Sequence, residues 1–194
     1  MSYMFQYCGY NAMTTLDLGS NFDTSKVTTM KSMFINTGFR KLTSLDLGSK
    51  FNTSKVFNMA NMFDNTGHYE MTTLNLGNNF DTTNVLDMSF MFQYCGTESL
   101  TSLDLGDKFN TSKTMYMNSM FKECGNANMT SFDLGDKFNT SKVTNMDSMF
   151  QNFGASKLTS LNLGGLFYTT SVTNMSNMFV GWGQVSMATL DLGP

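Results

Sequence analysis

The stretch Met13-Thr14-Thr15-Leu16-Asp17-Leu18-Gly19 decides how this chain folds. Leu16 and Leu18 alternate with Thr15 and Asp17, so the leucines share one face and the polar residues the other, the period-2 pattern of a half-buried strand. Gly19 then suits a turn that needs positive φ or close backbone approach. The tripeptide Leu-(Asp/Asn)-Leu returns with its first residue at Leu45, Leu74, Leu103, Leu161 and Leu190, and as Phe-Asp-Leu at Phe132. Each copy lies 29 residues after the last, without insertion or deletion, and each is followed by glycine.

Working outward, other positions repeat as strictly. Phe stands at 22, 51, 80, 109, 138 and 167, with Thr two residues later each time. Met stands at 1, 30, 59, 88, 117, 146 and 175, and a Met-Phe pair recurs from Met4-Phe5 to Met178-Phe179. Self-similarity at a fixed period marks an array in which each unit buries its apolar face only against its neighbours. The 194 residues hold about 6.7 units. In the unit from 13 to 41, Val27, Met30, Met33 and Phe34 fall at spacings of three, three and one, which predicts one face of a short helix or 3₁₀ turn. Gly38 would end that helix in the left-handed region. The expected fold is an α/β repeat: a solenoid of about seven 29-residue coils. It would carry a parallel β-sheet on one face, with strands ~4.8 Å apart, and short helical turns on the other. The whole chain, 1–194, reads as one array.

This template accounts for the composition. The chain has 19 Met, 18 Phe and 16 Gly against one Pro, one His and one Trp, because a handful of inward positions is copied in every coil. Met fills irregular gaps between coils well. A net charge of −3 with 12 Lys+Arg argues against a nucleic-acid footprint. No apolar run approaches the ~18 residues of a membrane span, and the first residues lack the pattern of a signal peptide. A single histidine, His68, in a variable loop position, argues against His-based catalysis and multi-His metal sites. No enzyme, cofactor or metal is expected.

The segments Leu-Thr-Ser-Leu-Asp-Leu-Gly (42–48), Phe-Asn-Thr-Ser-Lys-Val-Thr-Asn-Met (138–146) and Ser-Met-Phe (148–150) resemble the BspA-type leucine-rich repeats of bacterial surface proteins. The resemblance covers the entire chain. It implies a secreted or cell-surface leucine-rich solenoid, linked to adhesion or host-protein binding and without enzymatic activity. The 29-residue unit is longer than that family's usual spacing. The Cys that often follows Met-Phe is present only at Cys8, Cys95 and Cys124, with Thr37, Thr66, Phe153 and Trp182 in its place elsewhere.

Two surfaces are candidate partner-binding sites. One is the exposed strand face: Thr15, Asp17, Ser44, Asp46, Thr73, Asn75, Ser102, Asp104, Ser131 and Asp133. Its carboxylates, stacked at ~4.8 Å, are oxygen ligands of the kind Ca²⁺ takes. The plainer reading is a solvated face in which Asn75 and Asn162 relieve like-charge repulsion. The other surface lies where the copies differ. The position after the Val column (Thr114 in one coil) is Thr28, Phe57, Leu86, Met115, Thr144 and Thr173, so Thr becomes large and apolar in three consecutive coils. With Phe90 four residues after Leu86 and Tyr116 beside Met115, this predicts an apolar patch of Phe57, Leu86, Phe90, Met115 and Tyr116. It would serve a protein partner or self-association, unless loop residues such as Phe39 or Tyr69 cover it. Cys95 and Cys124 share one column in adjacent coils, within reach of a disulfide, and buried free thiols are the preferred reading. Neither end carries a polar capping unit, so the chain reads as a fragment of a longer cell-surface or secreted protein.

Overall fold

Six three-residue strands recur at the 29-residue step: β1 (Thr15–Asp17), β2 (Ser44–Asp46), β3 (Thr73–Asn75), β4 (Ser102–Asp104), β5 (Ser131–Asp133) and β6 (Ser160–Asn162). The structure, a computed structural model, describes residues 1–182, 184 and 185; Gly183 and the last Leu-Asp-Leu-Gly, at 190–193, lie outside the described residues. From β2 to β6 the central residue is buried and its two neighbours are exposed, as the alternation requires. Strands of successive coils run parallel and in step, with Leu16 opposite Leu45, Leu74 opposite Leu103 and Phe132 opposite Leu161. The chain is a solenoid-like stack of repeated coils.

The side opposite the strands corrects the expectation of helical turns. No α-helix or 3₁₀-helix forms among the described residues. Alternate N–H groups point out of the coil instead. Those of Met30, Ser32, Phe34 and Asn36 donate to the carbonyls of Asn58, Ala60, Met62 and Asp64 in the next coil, at 2.8–2.9 Å. Those of Met33, Ile35 and Thr37 bond within the coil, three residues back. A helix keeps every such bond inside one segment. Ser32 and Asn36 hold φ at +56° and +57°, the positive value that a type II turn demands at its third residue. The same left-handed positions return at Asn61 and Asn65, at Ser119 and Glu123, and at Ser148 and Asn152. The segment is therefore a chain of tight turns, stitched to the next coil at every second residue. Its inward side chains, Met30, Met33 and Phe34, are buried as the spacing predicted, although no helix carries them. A parallel bridge ladder, Thr29–Asn58–Asp87–Tyr116–Asn145–Asn174, runs unbroken along this side.

The strand side is interrupted, which corrects the expectation of one continuous sheet. The strands pair only as β1–β2, β3–β4 and β5–β6. Within each pair the N–H of Leu18, Leu76 or Leu134 reaches the carbonyl of Asp46, Asp104 or Asn162, at 3.0–3.1 Å. Equivalent bonds are absent across the β2/β3 and β4/β5 seams. This alternation has a counterpart in the sequence. The residue two before each strand is Met13, Leu42, Met71, Leu100, Met129 and Leu158, so every pair joins a Met coil to a Leu coil. On the strand side the working unit is two coils, 58 residues.

Polar side chains fix the corners of each coil. Asp17, Asp46, Asn75, Asp104, Asp133 and Asn162 each accept, at Oδ1, the N–H of the glycine two residues on, at 2.7–3.0 Å. Asp and Asn interchange freely there because both supply that oxygen to an Asx turn. Asp23, Asn52, Asp81, Asn110 and Asn139 do the same for the Ser or Thr two residues later. The invariant Thr after them is fully buried at Thr24, Thr53, Thr82, Thr111 and Thr140. Each donates its hydroxyl to a carbonyl of the next coil, at 2.6–2.9 Å. A buried hydroxyl left without a partner costs about 1–3 kcal/mol, so the column tolerates little else.

Two phenylalanine ladders run through the core. Phe34, Phe63, Phe92, Phe121 and Phe150 stack at 5.4–5.5 Å with planes within 5° of parallel. Phe22, Phe51, Phe80, Phe109, Phe138 and Phe167 stack at 6.3–6.5 Å.

Candidate functional surfaces

The strand face is polar and open. Thr15, Ser44, Thr73, Ser102 and Ser131 are exposed beside Asp17, Asp46, Asn75, Asp104 and Asp133. One oxygen of each carboxylate or amide is already engaged by its Asx turn, so the column has a structural duty before any binding one. No group of three or more His, Cys, Asp or Glu side chains among the described residues is arranged to hold a metal ion. Open clefts mark the two seams. One is lined by Ser44, Leu45, Asp46, Thr73, Asn75 and Gly77, between β2 and β3. The other lies along β4 and β5 and reaches β6.

The second surface is a row on the turn side. Phe57, Leu86 and Met115 are 49%, 43% and 39% exposed, and Tyr116 is 44% exposed. Backbone hydrogen bonds link the row directly, from the Leu86 N–H to the Phe57 carbonyl and from the Met115 N–H to the Leu86 carbonyl, both 2.9 Å. Val56 and Val85, one residue earlier, are fully buried, so the row stands on the core without belonging to it. Phe90 differs from its expected placement. No helix brings it beside Leu86; it is half-buried in a turn, with φ at +61°. Phe39 and Tyr69 pack against each other at 5.3 Å, and Phe39 stacks between Tyr10 and His68, at 4.7 and 4.8 Å. That separate aromatic ladder occupies the loop column.

Two of these departures carry a local cost. The column of Tyr116 otherwise holds Thr29, which makes no such bond, and Asn58, Asp87, Asn145 and Asn174, each of which accepts the N–H two residues on. The phenolic oxygen of Tyr116 lies too far from its backbone to close an Asx turn, and the turn bond made by those Asn and Asp side chains is missing there. The column of Phe90 otherwise holds Ser32, Asn61, Ser119, Ser148 and Asn177, and Tyr3 in the first coil. A bulky aromatic in the left-handed region is strained where Asn is tolerated.

The chain matches the profile of the family described as "Mycoplasma protein of unknown function, DUF285" over residues 1–132 and again over 74–189. The chain belongs to this family. The two overlapping matches of DUF285 along one chain follow from the repeat, since a profile spanning several coils fits at more than one register. No curated protein matches the chain, and no solved structure does.

The remaining candidates have plain environments. Cys95 and Cys124 are free, fully buried thiols, and Cys8 is free and half-buried. Burial pushes the Cys124 thiol up, and its hydrogen bond with the Cys95 thiol adds to the rise. Burial lowers the pKa of His68, against opposing contributions from the Tyr94 backbone, Glu98 and Glu123, and its Nδ1 is buried without a partner. No described helix is long and apolar enough to cross a membrane.

Asp64 carries no signal in the sequence, where its column reads Gln6, Ile35, Asp64, Gln93, Lys122, Gln151 and Val180. Its carboxylate is buried with Oδ1 unpartnered, and Asn61 donates to Oδ2 at 3.1 Å. Burial raises its pKa from 3.8 to about 6, opposed by the Asn61 hydrogen bond. The folded chain thus holds this proton more tightly than the unfolded one. Stability falls as pH rises from 3.8 through about 6, and above that the ionised group is a fixed cost. Asp64→Asn keeps the shape and removes the charge. The variant is expected to exceed the wild type by roughly 1–3 kcal/mol at pH 7.5, with the gap closing towards pH 4, in urea denaturation at both pH values. A gap that persists unchanged at pH 4 would assign the effect to packing instead.

Proposed function

We propose that this chain is the binding array of a bacterial cell-surface or secreted protein, a leucine-rich-repeat solenoid of the BspA type that engages a protein partner without catalysing a reaction. One observation carries the reading. In three consecutive coils the template is broken in favour of exposed apolar residues, Phe57, Leu86, Met115 and Tyr116, although the core gains nothing from them. Tyr116 forfeits a turn bond and Phe90 holds a strained backbone in the same coils. Departures that cost local stability and persist at a surface mark places where function is served. The strand face, with Ser, Thr and Asp side chains open to solvent, is the second surface available to a partner. The regularity of the remaining coils also suits a stalk that only holds another domain outward.

The deciding experiment compares the wild type with Phe57→Thr/Leu86→Thr/Met115→Thr. Thr occupies the same column at Thr28, Thr144 and Thr173, so the variant retains the fold's own residue choice. Immobilised on a surface, the wild type is expected to retain members of a panel of host matrix and cell-surface proteins, and the variant to lose them. Any dimer seen in light scattering should dissociate with the same variant. Equal retention by both proteins would move binding to the strand face, and no retention by either would favour the stalk.

A further inference from the structure

We propose that the Phe57–Leu86–Met115 row is a docking ridge for an acidic amphipathic α-helix, which deepens and rests on the binding reading above. Spacing is the first argument. Consecutive side chains of the row sit on hydrogen-bonded neighbouring coils, so the row advances by one inter-strand step, ~4.8 Å, per side chain. An α-helix repeats its apolar face every ~5.4 Å, one turn, whereas an extended strand repeats its face only every ~6.6–6.8 Å. Over three coils a helix laid along the stack keeps one apolar residue against each of Phe57, Leu86 and Met115. A strand falls out of step by the third.

Charge is the second argument. The chain is acidic overall, yet the position two residues before the row is Lys26, Lys55, Asn84, Lys113 and Lys142. All four lysines are exposed. Among the described residues Lys55 and Lys142 make no hydrogen bond or ion pair, and Lys113 Nζ donates only to the Asn84 amide oxygen, at 2.7 Å. On the other border Asp87 is half-buried, and its oxygens are taken by the Ser89 N–H and hydroxyl and by Asn58. The ridge is an apolar row with one cationic flank. Its complement is a helix with an apolar stripe and carboxylates along one side of it.

Size and secondary structure favour a separate helix over a second copy of this chain as the occupant. Four partly exposed side chains fall well short of the ~800 Å² per partner of a stable protein dimer. The described residues contain no α-helix to offer.

The test uses a labelled peptide of about four helical turns, ~15 residues, with leucines at helical spacing and glutamates on one flank. Its shuffled isomer and its Lys-for-Glu counterpart are the controls, and phosphatidylglycerol vesicles the competing surface. Fluorescence anisotropy should show the acidic helix binding at least about tenfold more tightly than either control, with peptide helicity rising on binding. Phe57→Thr/Leu86→Thr/Met115→Thr should weaken it by about tenfold or more. So should Lys55→Asn/Lys113→Asn, which installs the residue found at Asn84. Equal binding of the shuffled peptide overturns the proposal. Ridge-dependent binding to the vesicles in preference to the peptide overturns it in favour of an anionic membrane. If neither peptide nor vesicle binds while matrix proteins are still retained through Phe57, Leu86 and Met115, the helix assignment fails and the binding array stands. If no matrix protein is retained either, both fail.

Discussion

Phe92→Ala is expected to lower the unfolding free energy by about 3–5 kcal/mol, the cost of removing a fully buried aromatic from a core that cannot close the gap. Phe92 is 0% exposed and lies midway along the tighter ladder, with Phe63 and Phe121 each 5.5 Å away and nearly parallel. Its removal breaks ring contacts on both sides. In a stack where coils interact only with their neighbours, stability is a sum of coil terms and interface terms, and this substitution lowers two interfaces together. Phe5, at the same position of the first coil, is half-buried and stacks on Phe34 from one side, at 5.3 Å. Phe5→Ala should cost roughly 1–2 kcal/mol, in keeping with a smaller area returned to water. Urea denaturation of both variants separates the cases. Equal costs would mean that the coils do not couple through these rings.

Much of this architecture is legible in the residues themselves. The Leu-Asp-Leu alternation gives strand, facing and register at once, since a slip of one residue would turn Leu45 and Leu74 to solvent. The apolar row was visible as a departure from a template that is otherwise copied faithfully. Other features were harder to read. The spacing of Val27, Met30, Met33 and Phe34 is shared by a helix face and by turns that bury every third or fourth side chain, so periodicity alone could not separate them. What separates them is the pair of left-handed positions, occupied by Ser32 and Asn36 in one coil and by Phe90 and Tyr94 in another. Because most of these residues are not glycine, they hide the requirement. The Asp and Asn columns looked like a surface ladder, and their duty as turn acceptors was missed, although free interchange of Asp with Asn was the clue. Asp64 could not be found from the sequence, because nothing in its column marks the position as buried. The Met/Leu alternation before each strand stands in the sequence, but a difference between two core residues of similar size does not by itself mark a pairing boundary.

That alternation leads to the second large effect. Gly48 and Gly77 occupy the same column, follow the same strand and hold nearly the same φ, +75° and +74°. In an array of identical coils their replacement would cost the same. Here they differ in what lies over them. A Cβ at Gly48 would sit 2.0 Å from the Gly19 carbonyl oxygen, across the closed β1/β2 pair. A Cβ at Gly77, on the β2/β3 seam, meets nothing within 4 Å. The next pair repeats the contrast, with Gly106 2.8 Å from the Gly77 carbonyl oxygen and Gly135 in open space. Both substitutions carry the cost of a left-handed alanine, ~1–2 kcal/mol. Only Gly48→Ala must also push a backbone carbonyl aside. It would thereby break the pairing of β1 with β2, so it is expected to cost several kcal/mol in all, about 3–5.

The unfolding free energies of Gly48→Ala and Gly77→Ala, measured side by side in urea, test most directly whether the array is built from closed two-coil blocks separated by open seams. If it is, the loss for Gly48→Ala is at least about 2 kcal/mol larger than for Gly77→Ala. Equal losses at the two glycines would contradict it.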